Sequence, residues 1–356
     1  MNDFAKLSRE DLLRYTGQIS QVADVTRFIY ADGMARGIPA VQVKNGSGLS
    51  FTLLEGRNMD LYNLEYKGIN LAFFYKNGLT APERVSHSHN EFLGQSSGGL
   101  MYTSGLQNSG PPNESEGLYQ PLHGRISAMG ADNISTSSYF DENGNLKIEL
   151  SGKTRESRLF GHNLTLTRTL TTQLNDNSFK IKDIIENETC RESFYSILYH
   201  INFGYPFLDE DTQIIVPERT EAAARTDWSQ EYYDQRYHMT APIDNFAEHL
   251  YFLDLPADDK GMCTALVINR KLDLAVEIRF EKKALPYLVE WKSMGSGDYA
   301  LGILPSSTLL RGRHDELEAN GMHKIDAFKK VETGFIFTVI EGSDAIEKRA
   351  GEIKTL

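Results

Sequence analysis

The sequence predicts an all-β protein, on three observations. Short runs of alternating apolar and polar residues recur along most of its 356 residues. Glycine, asparagine and serine punctuate those runs at close intervals, and nothing resembles the regular strand-helix alternation of a parallel sheet. One long hairpin is legible in full near the middle of the chain.

Taken in order, Ser8-Arg9-Glu10-Asp11-Leu12-Leu13 reads as a helix start, with Ser8 as cap, acids in the first turn and Gly17 as a stop. From Val41 the pattern turns to β: Val41–Val43, Leu49–Leu54 and Leu61–Tyr66 are short runs split by Gly and Asn. Asp141-Glu142-Asn143-Gly144-Asn145 is a turn, followed by alternating Leu146–Leu150. Asn163–Leu174 alternates, turns at Asn175–Ser178 and resumes at Phe179–Ile184, which predicts an antiparallel hairpin with one apolar face. Residues 217–250 are irregular and rich in Tyr, Arg and Asp, and are expected to form a loop or lid. Strands return at Thr264–Ile268, Leu274–Phe280, Tyr287–Trp291 and Gly334–Ile340. No low-complexity linker interrupts the chain, so we expect residues 1–40 to form an N-terminal helical or irregular extension and 41–356 a single domain.

Bulk properties narrow the partners. A net charge of -12 repels phosphate backbones, so nucleic acid is not expected. No apolar run approaches the roughly 20 residues of a membrane-spanning helix, so no membrane partner is expected. Met1–Lys6 lead into polar sequence without an apolar signal core, which suggests a cytoplasmic location. Cys190 and Cys263 are too few for a disulfide framework and lack metal-ligand spacing. His87 and His89 sit in a polar loop with no third ligand nearby, so no metal is expected, and no sequence motif calls for a cofactor.

Four segments concentrate polar side chains among glycines and aromatics. In Leu198–Asp209, residues two apart share a strand face, so His200, Asn202 and Gly204 point the same way, and Gly204 is expected to leave that face open. An imidazole there could exchange protons near neutral pH, or the pair could simply hydrogen-bond within the sheet. Arg57, in Glu55–Asp60, is a donor fork for sugar hydroxyls or a carboxylate, or else a surface partner of Glu55 or Asp60. His123, followed by Gly124 and Arg125, is a ligand donor in a loop or a structural residue. Trp291 offers an apolar face for a pyranose, with Glu290, Lys292 and Asp298 as hydrogen-bonding neighbours, or is a core residue flanked by charges.

Together Gly98-Gly99-Leu100, Thr103–Leu106, Leu122–Arg125, Tyr199–Asp209, Val289–Lys292 and Tyr299–Ile303 resemble, in order, the aldose 1-epimerase (galactose mutarotase-like) family, and within it a bacterial branch. The resemblance implies a β-supersandwich with a sugar-binding cleft across one sheet and a monosaccharide or sugar derivative as ligand. It implies that Arg57 and His123 hold the sugar, with Arg125, Asn202, Trp291 and Lys292 as further contacts, and that His200 is the general acid on the ring oxygen. The family's glutamate base falls on Leu304, in Gly302-Ile303-Leu304-Pro305, and leucine cannot accept a proton. Glu290 or Asp298 is the expected substitute. The competing expectation is a non-catalytic carbohydrate-binding protein on the same fold.

Overall fold

The computed structural model describes residues 7–88 and 91–356. Among them two large antiparallel sheets dominate. One has 12 strands: ten run in spatial order from Asp24–Ile29 through Pro39–Lys44, Leu49–Leu54, Asp60–Tyr66, Met101–Leu106, Ser193–Phe203, Asp298–Ser306, Tyr287–Gly295 and His249–Asp254 to Glu221–Ala224, and two short ones, Ile69–Asn70 and His323–Ile325, pair with Asp60–Tyr66 and Ser193–Phe203. The other has 8 strands, from Thr212–Ile215 through Met262–Asn269, Leu274–Glu281, Lys330–Glu341, Ser178–Asn187, Asn163–Gln173 and Leu146–Ser157 to Asp132–Phe140.

The alternation read from the sequence is the reason the sheets stack. In Leu146–Ser157, and in Thr333–Val339 of the strand Lys330–Glu341, every second residue is buried, so each strand offers one apolar face. The inner faces meet in a common core, where Phe51 of the first sheet lies 5.3 Å from Phe179 of the second and Phe179 stacks on Phe337 at 4.9 Å. The expected hairpin is present, pairing Asn163–Gln173 with Ser178–Asn187. The helix Ser343–Lys354 covers part of the second sheet's outer face, with Ile346, Ala350 and Ile353 on Leu266, Ile268 and Ala275.

At the start of the chain Ser8 caps the helix Arg9–Tyr15 by accepting the Asp11 N–H at 3.1 Å. Asp24–Ile29, within the stretch read as an extension, pairs with Pro39–Lys44 and forms an edge of the first sheet. The irregular segment 217–250 contains a short strand, Glu221–Ala224, a short helix, Asp227–Glu231, and a 3-10 turn, Tyr233–Gln235, before the chain rejoins the sheet at His249. No helix among the described residues is long and apolar enough to cross a membrane. Cys190 is exposed and Cys263 buried, both as free thiols.

Candidate functional site

Three adjacent strands define the floor of the site. The register pairs Asn202 with Gly302 and Gly302 with Trp291; the pairing of Ile201 with Ile303 then sets His200 beside Leu304. Strand parity puts His200, Asn202, Leu304 and Trp291 on the outer face of the first sheet. Their chain neighbours Tyr199, Ile303 and Leu301 turn into the core between the sheets. Above the floor lies a cavity of about 600 Å³, whose wall includes His123, His200, Trp291, Tyr102, Arg225 and Glu248. Leu304 and Leu310 also face it.

His200 is 6% exposed and held on three sides. Tyr102 stacks on it at 4.4 Å and 17°, Trp291 meets it edge-on at 5.5 Å, and His123 stands perpendicular at 5.5 Å. Its Nδ1 lies 2.6 Å from the Asn202 Oδ1. The Asn202 amide nitrogen donates to the carbonyls of His200 and Gly99, so its oxygen must face the ring, and a carboxamide oxygen only accepts. Nδ1 therefore carries the proton and Nε2 is left with a lone pair. Burial first, and then His123, hold the His200 imidazole well below its ordinary value, so the ring rests neutral.

His123 reaches the same cavity from a loop. Its backbone adopts φ of 58°, a conformation that costs free energy unless its surroundings enforce it. The enforcement is visible: His123 N–H donates to Gly110 O, and His123 O accepts from Gly105 N–H. A side chain at Gly124 would come within 2.2 Å of Gly105 O, so only glycine lets the two loops lock together. Its Nδ1 lies 3.2 Å from Ser104 Oγ, which donates to Ser109 Oγ at 3.1 Å. Burial and the Arg225 guanidinium push His123 down to about 4.

The remaining expected residues stand elsewhere. Arg57 is 3% exposed and donates to the carbonyls of Ser127 and Thr80; Glu55 pairs instead with Arg27. Neither Arg57 nor Arg125, which donates to Tyr119 O, lines the cavity. Glu290 and Lys292 flank Trp291 on the strand and so point to the opposite face. There Lys292 Nζ donates to the carbonyls of Gln235 and His238, and burial lifts the Glu290 carboxyl to about 8. Asp298 is exposed and paired with Lys76 at 2.7 Å. Asn202 acts on the ring of His200 from beneath. Gly204 is not open, because a Cβ there would lie 2.8 Å from Phe73 Cα.

Sequence reading missed Arg225, Glu248, Trp228, Tyr102 and Tyr75, all of which line the cavity. Glu248 accepts the Trp291 indole N–H at 2.7 Å through Oε2 and the Trp228 indole N–H at 2.8 Å through its backbone carbonyl. Burial pushes Tyr75 up to about 12. His87 is held below its ordinary value by burial and by Arg125 and Arg57, and its Nδ1 has no partner among the described residues; His89 lies outside them. Among the described residues the group with metal-ligand spacing is His314, Asp315 and Glu318, which is exposed and does not line the cavity.

The architecture and the outer-face cavity define a galactose mutarotase-like β-supersandwich. A candidate aldose 1-epimerase from Klebsiella pneumoniae superposes with a TM-score of 0.87 at 21% identity, over 93% of this chain and 88% of that one. A galactose mutarotase-like protein from Clostridium acetobutylicum gives 0.63 at 13% identity over 90% and 99%, and a galactose 1-epimerase from Lactobacillus acidophilus 0.55 at 12% over 90% and 99%. The chain belongs to the family described as a domain of unknown function, DUF4432, whose profile matches residues 35–339. No curated protein matches the sequence.

Proposed function

We propose that this protein binds a monosaccharide and interconverts its anomers by opening and closing the sugar ring. The observation that supports this best is the convergence of His200, His123 and Trp291 on one cavity, with Asn202 fixing the His200 tautomer so that Nε2 is free. Trp291 supplies the flat apolar surface for the ring's aliphatic face. His123 supplies a polar contact.

The resting state of His200 sets the order of events. A neutral imidazole with its proton on Nδ1 starts as a base rather than as the acid the resemblance implies. Nε2 takes the proton of the anomeric hydroxyl, that oxygen becomes the carbonyl oxygen, and the bond from the anomeric carbon to the ring oxygen breaks. The imidazolium then returns the same proton to the ring oxygen. Rotation of the carbonyl carbon and reversal of these steps give the other anomer. One histidine thus performs both transfers, and no second carboxylate is required at position 304. Proton transfer of this kind is worth about 10²–10⁴ in rate.

Exchange between anomers, followed by magnetisation-transfer NMR over a panel of free sugars, tests this. At least one sugar should be accelerated, and His200→Gln should return it to the uncatalysed rate. Acceleration of none, or full activity in His200→Gln, would reject the reading. A second reading, binding without catalysis, is favoured by one observation: Leu304 faces the cavity where the resemblance puts the family base. Calorimetric sugar binding without exchange, combined with exchange in Leu304→Glu, would select it.

A further inference from the structure

We propose that the sugar carries a fixed negative charge, a carboxylate or a phosphate, and that Arg225 receives it. This rests on the sugar-binding reading above and names the ligand class for the same cavity.

Among the described residues that line the cavity, Arg225 is the one permanent cation and Glu248 the one carboxylate. The simplest arrangement would pair them. Residues 221–224 run antiparallel to 251–254, and Arg225 N–H donates to Leu250 O at 3.0 Å, so the two are close along neighbouring strands. Yet no ion pair joins them. Glu248 Oε2 is committed to the Trp291 indole, while the Arg225 guanidinium makes no hydrogen bond and no ion pair among the described residues. It stands close enough to His123 to depress that imidazole, so its field reaches the inner wall.

Arg225 is exposed and solvated, so its lack of a partner alone marks nothing; what singles it out is that it lines a concave site whose other walls are mostly apolar or aromatic, on a molecule of net charge -12. Free anions are repelled by such a molecule as a whole, so an anionic ligand needs a local positive focus. A guanidinium offers that focus together with a planar donor fork that fits a carboxylate or a phosphate through two parallel hydrogen bonds. The ligand's anion would lie at the Arg225 end and its anomeric carbon at His200, with Trp291 beneath the ring.

Calorimetry with galactose, galacturonate, galactose 6-phosphate and inorganic phosphate, at fixed ionic strength, tests the assignment. At least one acidic sugar should bind ten-fold or more tighter than galactose, and which one does separates the carboxylate from the phosphate. Arg225→Gln should bring the acidic-to-neutral affinity ratio to one, while Arg225→Lys retains part of it. Equal affinity for neutral and acidic sugars, or a ratio that survives Arg225→Gln, overturns the proposal and leaves the sugar-binding reading standing. Inorganic phosphate binding as tightly as the sugar phosphate also overturns it. Absence of binding by every sugar removes both readings.

Discussion

Arg168 is fully buried, and its replacement gives the sharpest test of what holds the cavity-bearing sheet in place. The guanidinium bridges the two sheets. It donates to Asp183 through Nε at 3.0 Å and Nη2 at 2.7 Å, to Asp60 Oδ1 at 2.8 Å, and to Thr103 Oγ1 at 2.9 Å. Tyr199, the residue before His200, donates to the same Asp183 at 2.9 Å. Burial works against the arginine's charge, but Asp183 and Asp60 outweigh it. Arg168→Met keeps much of the volume and leaves two buried carboxylates without a cation, which costs about 3–5 kcal/mol. With about 2.1 cal/mol/K of unfolding entropy per residue, a chain of this length has roughly 0.75 kcal/mol/K, so Tm should fall by roughly 4–7 °C. Scanning calorimetry measures this. Adding Asp60→Asn and Asp183→Asn removes the stranded charges and should recover more than half of the loss. A single variant that loses less than about 1 kcal/mol, or a triple variant less stable than the single one, would refute the account.

Two further outcomes follow from the site. Asn202→Leu leaves the buried His200 Nδ1–H without an acceptor, which disfavours that tautomer by about 1–3 kcal/mol and, through its smaller population, should slow anomer exchange roughly 5- to 150-fold; unchanged exchange would mean that the tautomer is not what Asn202 provides. Glu290→Gln should alter how stability depends on pH. Burial raises the folded Glu290 to about 8 from 4.5, so its protonated form favours folding at low pH and that contribution is lost as pH rises through the folded value. The variant should therefore gain on the wild type between pH 5 and pH 9 in urea unfolding, by on the order of a few kcal/mol. Glu156, lifted to about 7 by burial, titrates in both proteins and cancels in the difference. A gap that does not change with pH would sink the argument.

The fold was legible because its information is local. Alternation in 163–184 and the Asn-Gly turn at 143–144 each specify a strand or a reversal within a few residues. His200 and Trp291 were legible for the same reason, since each stands out within its own strand. Arg225 and Glu248 were not, because they flank an irregular stretch and meet only through pairing of Glu221–Ala224 with His249–Asp254. No periodicity in 217–250 announces that pairing. The errors at Glu290 and Lys292 are different in kind, since the signal was present: with Trp291 assigned to the sugar face, its immediate neighbours on a strand must take the other. Arg57 was misread because a turn has no parity, and burial against two carbonyls is invisible in sequence.

Position 304 links these readings. The register that sets it beside His200, on the same face of the next strand, means that a glutamate there would stand against the imidazole. An opposite charge at such range raises a histidine, and a protonated His200 would begin the cycle as an acid beside a carboxylate base. With Leu304, 1% exposed, no charge stands there, and burial together with His123 holds the imidazole in its neutral form. On the proposed mechanism, leucine at 304 would therefore do more than delete a base: it would turn the neighbouring acid into one, with the Nδ1–H bond to Asn202 setting which nitrogen of the ring takes that role.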